Sequence, residues 1–103
     1  MQELRGADRK YLRGLANPLK PTVMIGRNGL NESVLQSIDE ALQDHELIKV
    51  RFQEYKENKK ELCREIAEKA QCHHVGLIGH VGIFYRPAND PEKRQIHLGK
   101  EGA

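Results

Sequence analysis

The sequence predicts an α/β two-layer sandwich in which three helices and a four-stranded mixed sheet follow one another in the order α-β-α-β-α-β-β. Three observations carry that prediction. Three separate segments repeat apolar residues at helical spacing, residues 48–53 alternate apolar and polar side chains strictly, and residues 75–86 are nearly all apolar around a glycine-rich turn. Right-handed crossovers then set the second and third helices on the same side of the sheet. A chain of 103 residues is long enough for a single modest core. Residues 1–98 therefore read as one domain and 99–103 as a flexible tail.

The first helix is expected over about Gly6 to Ala16, where Leu4, Tyr11, Leu12 and Leu15 fall on one face. Asn17-Pro18 stops it, and Pro21 stiffens the linker, because the residue before a proline is pushed away from helical angles. Thr22 to Ile25 form a short strand. Asn31 caps a second helix over about Glu32 to Asp44, with Leu30 as a staple and Val34, Leu35, Ile38, Ala41 and Leu42 facing the core. In the second strand, about Leu47 to Glu54, Ile48, Val50 and Phe52 point one way and Lys49, Arg51 and Gln53 the other. One face is buried; the opposite face is basic.

A polar turn around Lys56 to Asn58 leads to the third helix, about Lys59 to Ala70, burying Leu62, Cys63, Ile66 and Ala67. Val75 to Arg86 is a hairpin with Gly79-His80-Val81-Gly82 in its turn region. Its apolar residues occupy both parities, so both faces are covered, the first helix supplying the second cover. Gln95 to Leu98 is a candidate edge strand.

Charged residues make up 31% and apolar ones 38%, a balance that excludes a disordered chain. No apolar run approaches a membrane span, and Met1 to Arg5 lacks the apolar stretch of a signal peptide, so the expected location is cytoplasmic. A net charge of +2 does not by itself announce a nucleic-acid binder. Its distribution says more. Residues 1–20 set Arg5, Arg9, Lys10, Arg13 and Lys20 against Glu3 and Asp8, and residues 47–60 set Lys49, Arg51, Lys56, Lys59 and Lys60 against Glu54 and Glu57. Between them, residues 31–46 carry five acids and neither Lys nor Arg. One side of the molecule is expected to be basic and one acidic.

The stretch with the most chemical content is Val23 to Asn31. A Gly-x-x-Gly loop, Gly26-Arg27-Asn28-Gly29, joins a strand to a helix, which gathers bare amides and a positive helix end beside an arginine. The forked donors of Arg27 suit phosphate oxygens, and Asn28 donates, accepts and tolerates a left-handed backbone. The same residues also serve a strand-to-helix turn for purely local reasons, and Gly76–Gly79, Gly79–Gly82 and Gly99–Gly102 match the string as well. The polar centre and the strand-to-helix setting distinguish the first copy; Glu32 competes with a bound phosphate for the same helix end.

Arg5, Arg9 and Arg13 recur every four residues and form a stripe that either holds a polyanion or is a solvated helix face. Tyr55 and Tyr85 are candidates for stacking on unpaired bases, although packing explains most of the aromatic residues. A zinc site would need Cys63, Cys72, His73 and His74, whose spacing matches no C-x-x-C pair, and two cysteines do not make a disulfide framework. No catalytic set is recognisable among His45, His80 and His97. The expected protein is a non-enzymatic monomer with no cofactor, no metal and no small-molecule substrate.

Leu12-Arg13-Gly14-Leu15-Ala16-Asn17-Pro18-Leu19-Lys20-Pro21, Ile25-Gly26-Arg27-Asn28-Gly29-Leu30, His45-Glu46-Leu47-Ile48-Lys49-Val50 and Tyr85-Arg86-Pro87 stand in that order along the chain. Together they resemble the CRM domain (chloroplast RNA splicing and ribosome maturation), in particular its bacterial single-domain YhbY type. The resemblance implies a fold like the C-terminal domain of translation initiation factor 3. It also implies RNA binding, with ribosomal RNA in large-subunit precursors as the partner and ribosome assembly as the role. Its Gly-x-x-Gly loop is compared with that of KH domains, although here the loop joins a strand to a helix. The candidate RNA-binding residues are thus Gly26, Arg27, Asn28 and Gly29, surrounded by Arg5, Arg9, Arg13, Lys20, Lys49, Arg51 and Arg86. The rival expectation is a protein-interaction module docking through the acidic second helix, at Asp39, Glu40 and Gln43. A hydrolase using His73 or His74 is the weakest alternative.

Overall fold

The structure, a computed structural model, describes residues 4–53 and 57–98. Its elements are α1 (Gly6–Ala16), β1 (Val23–Ile25), α2 (Glu32–His45), β2 (Leu47–Phe52), α3 (Lys59–Lys69), β3 (His73–Ile78) and β4 (Val81–Tyr85), followed by a single 3-10 turn at Pro91–Lys93. Glu54, Tyr55, Lys56 and the tail from Gly99 lie outside the described residues, so the stacking role considered for Tyr55 lies outside them too.

The sheet runs β1-β2-β4-β3, with β1 parallel to β2 and β4 antiparallel to both of its neighbours. β1, β2 and β3 therefore point the same way. The mixed four-stranded sheet and the element order agree with the sequence expectation. Parity decides the two faces: Val23, Ile25, Ile48, Val50 and Phe52 join Ile38, Leu42, Leu62, Cys63 and Ile66 in the core under α2 and α3. On the other face Leu47, Val75, Ile83 and Tyr85 pack against Leu12 and Ala16 of α1. Gly82 makes the first core possible, because a Cβ there would come within 2.9 Å of the Phe84 ring and 3.2 Å of Cys63 Sγ.

Several local expectations change. The inward stripe of α1 is Asp8, Leu12 and Ala16, whereas Tyr11 and Leu15 are exposed. An acid is tolerated on that stripe because Asp8 accepts the Arg5 backbone N–H at 3.2 Å and pairs with its guanidinium. The hairpin turn is the two residues Gly79-His80, with Gly79 alone at positive φ (59°), the pattern of a II′ turn. Gln95 to Leu98 form no strand. The Glu46 carboxylate takes the N–H groups of Gln95 and Ile96, at 2.7 and 3.0 Å, while Ile96 and Leu98 pack on the α1-side core.

Candidate nucleic-acid interface

The Gly26–Gly29 loop closes as a tight turn. The Gly29 N–H donates to the Gly26 carbonyl at 3.0 Å, and Gly29 adopts φ 72°, a conformation that costs glycine least. Gly26 has no such constraint. Its lack of a side chain instead admits the Gln53 amide, whose nitrogen would lie 3.3 Å from an added Cβ. Arg27 and Asn28 stand exposed at the two corners. Asn31 caps α2 by accepting from the Val34 N–H at 2.9 Å, so the amides of Glu32 and Ser33 remain at the helix end beside the loop.

Topology adds what the loop alone lacks. Because β1 and β2 are parallel, the helices that follow them, α2 and α3, both begin at the sheet end that carries the loop. Two positive helix ends, Arg27, Lys59 and Lys60 thus share one end of the molecule. The hairpin turn lies there as well: the His80 carbonyl accepts the Phe52 N–H at 2.7 Å, and Lys59 Nζ sits 2.7 Å from His80 Nδ1. An ammonium can only donate, which fixes Nδ1 as the acceptor of that pair.

On the α1 side of the sheet, next to the loop, one cross-strand row stays uncovered. It runs Met24, Arg51, Val81, Ile78 from edge to edge. Met24 and Ile78 are 60% and 64% exposed, the highest values among the large apolar side chains. Arg51 stands between them, exposed, and among the described residues no carboxylate pairs with Arg51, Arg27 or Arg13. Arg9 and Arg13 reach the outer strand β3: Arg9 Nη1 donates to the His74 carbonyl, and the Arg13 chain lies over Gly76, where a Cβ would meet it at 3.2 Å.

Four expected site residues are not brought to this surface. Arg86 is at the far end of the sheet, its side chain 20% exposed, in an ion pair with Asp39 at 2.9 Å and bonded to the carbonyls of Ala70 and Asp39. Its charge ties β4 to α2 and α3. Lys49 donates to the carbonyls of Asn17 and Leu19, at 3.2 and 3.0 Å, and so anchors the chain leaving α1. Arg5 is engaged with Asp8 at the start of α1. Lys20 lines an apolar cleft with Leu15, Leu19, His45 and Ile96, away from the loop. Tyr85 is buried, with its ring stacked on His73 at 6.1 Å, and so offers no face to a base.

The zinc reading finds no ligand group in these positions. No group of three potential metal ligands occurs among the described residues. Cys63 and Cys72 are buried, and burial pushes their thiols up to about 11 and about 12. No helix among the described residues is long and apolar enough to cross a membrane.

His73 and His74 titrate below the ordinary imidazole value. Burial is the main cause for both, the Arg9 charge adds to it, and for His74 the hydrogen bond to the Gly76 carbonyl works the other way. The folded chain therefore binds fewer protons than the unfolded one once the pH drops below about 6.5. This contribution to stability is complete above that pH and is lost as the pH falls. Thermal melts should show a falling Tm between about pH 7 and pH 5.5, and the drop should be shallower when both residues are changed to Gln. An identical slope in the double variant would assign the drop to other groups.

A family model described as the CRS1 / YhbY (CRM) domain matches residues 4–86. The chain belongs to the CRM family. Among similar CRM proteins, an "RNA-binding protein" of Haemophilus influenzae is 40% identical over 102 residues, covering 98% of this chain and 100% of that one. The "Probable RNA-binding protein YqeI" of Bacillus subtilis is 31% identical over 96 residues, 92% of this chain and 98% of its own length. The solution structure of the hypothetical protein SAV1595 from Staphylococcus aureus superposes with a TM-score of 0.80 at 35% identity, covering 93% of this CRM chain and 99% of that one. The order of elements and the four-stranded mixed sheet are thus those of a solved relative.

Sequence reasoning missed Lys59, Lys60 and the second helix end. It had the means to find them. Parallel strands joined by right-handed crossovers oblige successive helices to start at the same sheet end, and two strands of this sheet are followed by such helices. The open row Met24–Ile78 had no such signal, because it exists only through strand register.

Proposed function

We propose that this CRM domain is a non-enzymatic RNA-binding protein that holds structured ribosomal RNA in precursors of the large subunit, as an assembly factor. The observation that carries the reading is the exposed Gly26–Gly29 turn at the start of α2, on the sheet end where α3 also begins, with Arg27 and Arg51 unpaired by carboxylates among the described residues. Phosphates would sit at Arg27 and the amides around it, because backbone donors and a guanidinium together suit a dianionic chain. Met24, Val81 and Ile78 offer apolar contact to unstacked bases beside those phosphates. Binding of this kind is strongly salt-dependent and tolerant of sequence. The names of the relatives in Haemophilus and Bacillus support RNA as the ligand.

The reading is tested by ultraviolet crosslinking in cells, with the recovered RNA sequenced and the crosslinked peptide mapped. Ribosomal precursor fragments joined at or near Arg27 are the expected product. Recovery of messenger or transfer RNA alone would remove the assembly role, and crosslinks confined to the acidic face of α2 would remove the loop.

A further inference from the structure

The sheet order leaves β3 at an edge, and helices from opposite faces of the sheet pack against it, α1 on one side and α3 on the other. Each helix turns a basic stripe toward that edge. From α1 comes Arg9, already anchored on the His74 carbonyl. From α3 come Lys60 and Arg64, four residues apart and so one above the other, with Ala67 continuing the row. The acids of α3, Glu61, Glu65 and Glu68, follow one position round the helix, and Glu65 is paired with Lys69 at 3.5 Å. Charges that look mixed along the sequence of α3 are segregated in space.

Between these stripes lies a groove of about 620 Å³ lined by Arg9, Lys60, Arg64, His73 and His74 together with the apolar Ala67, Cys72 and Leu77. Among the described residues, three permanent cations and two imidazoles face it, and no carboxylate does. Mutual repulsion among such cations is relieved by a bound anion. Lys60 and its neighbour Lys59 stand in the first turn of α3, which begins at the same sheet end as the Gly26–Gly29 loop. Cations spread along the groove from two helices suit a polymer with repeated negative charge better than a single free anion.

We propose that the β3 edge is a second backbone-binding track, in which Arg9, Lys60 and Arg64, with the His73 imidazole beside them, hold phosphodiesters of the same RNA that the Gly26–Gly29 loop grips. The inference rests on the RNA-binding reading above and extends the contact surface to the β3 edge of the sheet. Lys60 and Arg64 supply point charge and a forked donor respectively, Arg9 is held against β3 by the His74 carbonyl, and the His73 imidazole is positioned by the Tyr85 ring.

The test is fluorescence anisotropy with a labelled mixed-sequence hairpin RNA, titrated with the full chain over a range of salt. Lys60→Glu/Arg64→Glu is expected to weaken binding about tenfold or more, and Lys60→Gln/Arg64→Gln to lower the slope of log K against log salt by about two. Both residues are exposed, so far-ultraviolet circular dichroism and Tm should match wild type in the Gln pair. Wild-type affinity and slope in both pairs, with Arg27→Glu still impaired, would overturn the track and leave the RNA reading intact. Absence of binding by the wild-type chain, or competition by polyglutamate as effective as that by unlabelled RNA, would overturn both.

Discussion

Replacing Glu46 by alanine is expected to lower stability by about 3 kcal/mol, because three backbone N–H groups lose their acceptor at once. The Glu46 carboxylate, in a residue only 4% exposed, accepts from Ala88 at 2.8 Å, Gln95 at 2.7 Å and Ile96 at 3.0 Å. Its own carbonyl accepts from Arg86 at 2.8 Å. One side chain at the exit of α2 thus gathers the whole segment after β4. Its backbone stands at φ 54°, a strain that a non-glycine residue sustains only where its surroundings hold it. For a chain of this length the loss corresponds to a fall in Tm of roughly 10–20 °C. Hydrogen exchange should lose protection at Ala88, Gln95 and Ile96 first. Glu46→Gln keeps one acceptor oxygen and should fall between the two. Unchanged melting and unchanged exchange in Glu46→Ala would show that the segment is held by Ile96 and Leu98 packing alone.

Arg27→Glu is expected to raise the dissociation constant for RNA by well over tenfold at low salt, with Tm unaltered. The substitution removes a cation and sets an anion beside the positive end of α2, where a phosphate and the new carboxylate would compete for the same amides. Arg27 is exposed and among the described residues makes no ion pair, so nothing in the fold depends on its charge. Arg27→Ala should lose less affinity and reduce the salt slope by about one, the signature of a single phosphate contact. An Arg27→Glu chain that binds with wild-type affinity at low salt would refute a role for the loop. Arg86→Glu behaves oppositely on this account: its guanidinium is committed to Asp39 and two carbonyls, so stability suffers before any ligand is added.

The contrast between Arg27 and Arg86 marks how far the site was legible. Nothing in the residues adjacent to either arginine says that one faces solvent and the other bridges β4 to two helices. Lys49 belongs with Arg86. Strand alternation correctly turned it away from the first core, yet the partner it meets on the other face, the chain leaving α1, is 30 and 32 residues distant in sequence at its two contacts. The mixed charges of α3 carried a readable signal in the spacing of Lys60 and Arg64, but what gives that stripe meaning is β3 beside it.

Local chemistry determined the elements themselves. The helical repeats, the alternation of Ile48 to Gln53, the Asn31 cap and the glycine pair of the polar loop each depend on residues within a turn or two of one another, so their outcome is written in short-range periodicity. The tertiary structure alone decided which cations act together. Strand order β1-β2-β4-β3 and the cross-strand register are set by pairings between residues far apart in the chain. A charge interacts over distances of several ångströms regardless of sequence separation, so the basic edge of β3 and the two helix starts at one sheet end came into being only when the sheet closed.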